Sequence, residues 1–145
     1  MAVRKIGIIT CANATRELDC CSMICLNDLG KRIGKFAEYP PEDELRLSGM
    51  TSCAGCPTIA YPEKIIRKVK ALWQLGIRDI HLSNCMLDLC PFVKKYSEVI
   101  QHAFPELNLV LGSHKAHISA EKLRQDCRVL FANNLNMNEV ILGKM

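Results

Sequence analysis

Short apolar runs alternate along the chain with amphipathic stretches, and their order predicts alternating strands and helices. Residues 5–11, KIGIITC, are apolar and β-branched, the pattern of a buried strand. A polar, cysteine-bearing loop follows. Leu26, Leu29, Ile33 and Phe36 then recur at spacings of three and four, which predicts a helix that Pro40 and Pro41 end. LRLSGMT (45–51) reads as the second strand. Ile65, Val69, Leu72 and Trp73 mark the next helix, with Gly76 placed to close it. IRDIHLSN (77–84) reads as the third strand, Pro91 as a first-turn proline, and Phe92, Tyr96, Val99 and Ile100 as the following helix. LNLVLGS (107–113) is the fourth strand. Residues 119–126 look helical, RVLFA is a candidate short fifth strand, and the Asn-rich NNLNMN leads into EVILGKM.

This order implies an α/β fold with three layers: a mostly parallel sheet of four to five strands with helices on both faces, of the flavodoxin or Rossmann type. The 145 residues suit a single domain over 1–145, with no repeat or linker dividing it. The net charge of +4 is spread along the sequence without a basic arm, which argues against a nucleic-acid partner. The apolar run after Arg4 and Lys5 is too short for a secretion signal, and no segment approaches a membrane span. A cytoplasmic location is expected. Thiols stay reduced there, so nine cysteines do not read as a disulfide framework.

Placed on this plan, the cysteines converge. Cys11 ends the first strand. Cys53 and Cys56, a CxxC pair followed by Pro57, come after the second. Cys85 ends the third, and Cys90 opens the helix beyond it. Cys20, Cys21 and Cys25 lie at the start of the first helix, and His114 just past the fourth strand. Ligands of open α/β sheets bind at the carboxyl ends of the strands. Residues a hundred positions apart therefore meet on one edge, where helix N-termini also favour thiolates. Cys21 and Cys25 share a face if the segment is helical; Cys20 and Cys25 pair better if it is a loop. Cys127 falls outside the pattern and reads as structural.

His114 and His117 are both candidate ligands. His81 lies inside the third strand, ~13 Å from Cys85 at a normal strand rise, so it reads as a hydrogen-bonded core residue rather than a co-ligand. His102 reads as surface.

SCAGCP, IHLSNC, CPF and GSH, in that order, together with the early TC…CC…C segment, resemble the CGGC domain family over residues 5–117. Members are small cysteine-rich proteins of bacteria and archaea, many of them anaerobes. The resemblance implies a metal-binding domain, usually taken to bind zinc. It carries onto Cys11, Cys20, Cys25, Cys53, Cys56, Cys85, Cys90, His81 and His114. The name-giving Cys-Gly-Gly-Cys reads Cys53-Ala54-Gly55-Cys56 here, and a positive φ at Ala54 would be costly.

Two functions follow. The first is a metal–thiolate site holding Zn2+ or an iron–sulfur cluster, formed from Cys11, Cys20, Cys25, Cys53, Cys56, Cys85, Cys90 and His114. It would serve redox, metal-delivery or metal-sensing roles. The second is a thiol–disulfide oxidoreductase with Cys53 attacking, Cys56 resolving and a redox protein as partner. A small-ligand binding module lacks a phosphate-cradling glycine loop.

Overall fold

The computed structural model describes residues 2–56, 62–129 and 136–144. Its strands are β1 (Val3–Thr10), β2 (Glu44–Ser52), β3 (Asp79–Leu82) and β4 (Asn108–Leu111). The helices are α1 (Met23–Lys31), α2 (Glu63–Gln74), α3 (Asn84–Leu89), α4 (Val93–Ala103), α5 (Ala120–Val129) and α6 (Met137–Ile141). A π-helical turn spans Asn13–Glu17 and a 3-10 turn spans Gly34–Glu38.

The four strands form an all-parallel sheet in the order β2-β1-β3-β4. Strand alternation sorts the core into two layers. Ile6 and Ile8 of β1 face α1 and the 3-10 turn, meeting Cys25, Leu29, Phe36 and Tyr39. Ile9, Ile80 and Leu82 face the other way, onto Ile65, Val69 and Leu72 of α2 and Tyr96 and Ile100 of α4. Each of the fully buried aliphatic side chains contributes roughly 1.5–3 kcal/mol by leaving water. The fold is the three-layer α/β arrangement that the alternation implies. The strand order reverses direction between β1 and β3, so the crevice at their carboxyl ends is the topological switch point.

Several local expectations are corrected. The helix expected through Phe36 stops at Lys31. Arg32 caps it in the left-handed region at φ 55°, and its guanidinium donates to the carbonyls of Tyr39 and Pro40. The chain then turns sharply at Gly34, φ 63°. Leu26 and Ile33 are consequently exposed, while Leu29 and Phe36 keep the core face. The third strand is shorter than expected, because Asn84 and Cys85 already belong to α3. Val129 ends α5, so the start of RVLFA is helical; its remainder lies outside the described residues. Within the Asn-rich stretch, Asn136 forms with Glu139 a reciprocal capping box that starts α6. Its Met137, Val140 and Ile141 pack with Leu123 of α5.

Candidate functional site

The switch point is where thiols meet. Cys11, just past β1, donates its backbone N–H to the Cys85 sulfur at 3.3 Å, across the gap between β1 and β3. Ser83 Oγ lies 2.8 Å from the same sulfur. The π turn after Cys11 brings two further donors to the CxxC. Ala12 N–H reaches Cys53 Sγ at 3.4 Å, and the Asn13 amide reaches Cys56 Sγ at 3.2 Å. Cys53 is itself fixed by donating its N–H to the Thr10 carbonyl at 2.7 Å. The positive φ of the CxxC loop, 100°, falls on Gly55, while Ala54 has none; the Ala-for-Gly change therefore meets no backbone penalty.

Cys11, Cys53, Cys56 and Cys90 line one cavity of about 200 Å³ whose wall is completed by Leu18, Leu89, Tyr96 and Cys127. Cys127 is the residue the sequence reading misplaced. Its helix, α5, packs against α3 and carries the thiol back to the strand ends. Nothing in the sequence spacing signals this, since the docking of α5 is a tertiary event.

The remaining candidates lie farther along the same edge. Cys25 is buried in the layer under α1, with its sulfur 3.2 Å from Ser113 Oγ. Cys20 is half-buried and packs against both the main core and the α5–α6 cluster. Cys21 is exposed, and Ser22 at φ 61° separates it from α1, so Cys21 and Cys25 do not share a face. His114 is buried but lines a separate hollow with Asn84, Leu87 and Gly34, its Nδ1 at 2.8 Å from the Lys115 carbonyl. His117 and His102 are exposed. His81 is fully buried, with Nδ1 at 2.7 Å from the Gly112 carbonyl and Nε2 at 2.8 Å from the Tyr39 hydroxyl. Both ring nitrogens are engaged, and burial holds its pKa below the usual histidine value.

The thiols are not alike chemically. Hydrogen bonding from the Cys11 thiol holds Cys53 well below the ordinary thiol range, assisted by the N–H groups of Ala12 and Gly55. The same bond, with burial, pushes Cys11 up. Burial pushes Cys25 up to about 12 and Cys127 up to about 11, and raises Cys20, Cys85 and Cys90. Neighbouring thiols add to these shifts: Cys85 and Cys20 act on Cys25 and Cys127, and Cys53 and Cys56 act on Cys90. Cys53 is a ready thiolate beside a ring of buried and half-buried thiols that repel further negative charge. A cation supplies what such a ring lacks, and the sulfur donor set fits a thiophilic ion or cluster. Among the described residues, no three His, Cys, Asp or Glu side chains stand close enough to hold an ion between them, so ligation requires the thiols to close in. All nine cysteines are free.

Among the described residues no helix is long and apolar enough to cross a membrane. No solved structure matches the chain. An uncharacterized protein of Methanocaldococcus jannaschii is 27% identical over 119 residues, covering 76% of this chain and 86% of that protein. The CGGC domain profile matches residues 5–114, which include eight of the nine cysteines, and that membership supports a general metal-binding role. The chain belongs to the CGGC domain family.

Proposed function

We propose that the protein binds zinc or an iron–sulfur cluster through thiolates at the carboxyl edge of the sheet, and serves metal delivery, metal sensing or electron transfer. One observation carries this reading: Cys11 from the end of β1, Cys53 and Cys56 from the end of β2, and Cys90 from the C-terminus of α3 line a single cavity. Cys53 supplies the first ready thiolate, and the others deprotonate as the ion binds. Cys20, Cys25 and Cys85 are near enough to one another to be felt electrostatically and offer a second group of sulfur donors. His114, on its own hollow, is a weaker candidate than in the sequence reading. The chemistry supplied by the metal would be charge stabilisation for zinc, or one-electron transfer for a cluster.

Anaerobic purification followed by a visible spectrum and joint zinc, iron and sulfide analysis tests this. Stoichiometric zinc without colour supports a zinc–thiolate, and brown protein with iron and sulfide supports a cluster. Metal-free protein that also fails to take up either metal overturns the reading.

A thiol–disulfide oxidoreductase using Cys53 and Cys56 is the second reading. The depressed pKa of Cys53 favours it. Its accessibility disfavours it. Cys53 is buried and Cys56 is exposed, so the reactive form sits on the member a bulky disulfide reaches less easily. Trapping that shows Cys53 and Cys56 cycling with a reductant in metal-free protein would promote this reading over the first.

A further inference from the structure

Cys53 is a shared wall between two cavities. On one side is the sulfur-lined cavity; on the other is an open hollow of about 480 Å³ between α2 and the π turn. We propose that this second hollow is a binding site for a small carboxylate- or phosphate-bearing molecule, held beside Cys53 by Arg16, Lys64, Arg67 and Lys68. The proposal is independent of whether Cys53 holds a metal.

The residues lining the hollow include four cations and no acidic side chain. Lys64, Arg67, Lys68 and Ala71 fall at i, i+3, i+4 and i+7 of α2 and so lie on one face, and Ala71 leaves the floor open. Arg16 closes the hollow from the π turn. All fifteen acidic residues lie in the described part of the chain, yet none forms an ion pair with any of these four. Among the described residues, Lys68 alone of the four is tethered, by a 3.2 Å bond to the Thr51 hydroxyl, which aims its ammonium at the end of β2. Like charges three and four apart on a helix repel and destabilise it. A concave surface that gathers four of them with no carboxylate, and whose Lys68 also favours the Cys53 thiolate on the same wall, concentrates anions, and the Arg forks match carboxylate and phosphate oxygens. Lys94 and Lys95 of α4 offer a contrast: both are exposed, and they line none of the cavities described above.

The test uses the full-length protein, as purified and after chelator treatment, with Lys64→Gln/Arg67→Gln and a charge-matched control, Lys94→Gln/Lys95→Gln. The first arm titrates inorganic pyrophosphate by calorimetry. The second measures alkylation of Cys53 in chelator-treated protein by iodoacetate and by neutral iodoacetamide, quantified by peptide mapping. Saturable pyrophosphate binding that the Lys64→Gln/Arg67→Gln protein loses and the control keeps is expected. An iodoacetate rate that falls about ten-fold in that variant at low salt, with the iodoacetamide rate within two-fold, is also expected. Pyrophosphate binding that survives in the variant, or is lost equally in the control, overturns the proposal. So does an equal fall for both alkylating reagents, which would mean that the cations act on the thiol rather than on the ligand. Iodoacetate binding without pyrophosphate binding would assign the site to carboxylates; pyrophosphate protection of Cys53 would assign it to phosphates as well.

Discussion

Replacing Cys11 by alanine should raise the pKa of Cys53 in metal-free protein. The Cys11 thiol is the strongest single influence holding Cys53 low, ahead of the Ala12 and Gly55 N–H groups. A hydrogen bond to a charged acceptor is worth about 1.5–3 kcal/mol. At about 1.36 kcal/mol per pH unit, its loss moves the Cys53 titration up by roughly one to two units. The Ala12 N–H, at 3.4 Å, remains and keeps the shift from being larger. Cys11→Ser is the control, because a hydroxyl at the same position still donates. The assay is the pH dependence of iodoacetamide incorporation at Cys53 in chelator-treated protein, followed by peptide mapping. An inflection that moves up in Cys11→Ala and stays near wild type in Cys11→Ser is the expected result. An inflection unmoved by Cys11→Ala would refute the reasoning, since the backbone donors would then suffice alone.

The remaining predictions concern stability and metal uptake. Cys25 has a pKa raised from 9.0 to about 12, so its contribution to stability is fully present below pH 9 and is lost as the pH rises toward 12. Urea titrations should show the stability of wild type relative to Cys25→Ala falling by about 2 kcal/mol between pH 9 and 10.5; a constant difference would contradict the burial argument. Because Cys11 and Cys90 are pushed up and stay protonated at pH 7, zinc uptake that draws both into ligation should release at least two protons per ion, and affinity should weaken as the pH falls. Calorimetry in buffers of different ionisation enthalpy counts them, and proton-neutral binding would exclude thiolate ligation. Gly34→Ala should be severely destabilising, by about 3 kcal/mol or more, as read from chemical denaturation. Its φ is +63° and a Cβ there would stand 2.6 Å from the Lys115 backbone N, with Ser113 O at 2.8 Å, so the loop bearing Ser113 and His114 must move. Wild-type stability in that variant would show the loop to be displaceable.

What the sequence determined is the layered fold and the edge on which chemistry collects. Apolar runs such as IGII can be buried only between two helical layers, and the alternation with amphipathic stretches leaves a parallel sheet as the way to pack them. Once the strands are parallel, Cys11, Cys53 and Cys85 must emerge together, however far apart they are in the chain. Local periodicity could not find the break at Arg32, because the helix there is outcompeted by guanidinium bonds to Tyr39 and Pro40, carbonyls several residues on. Nor could spacing separate equal-looking thiols. Cys53 is acidic because the Cys11 thiol donates to it across two strand ends, and Cys127 joins the cavity because α5 docks on α3. Hydrogen-bond donation and burial depend on neighbours distant in sequence, so the order of residues states which thiols gather, and only their packing assigns each its charge.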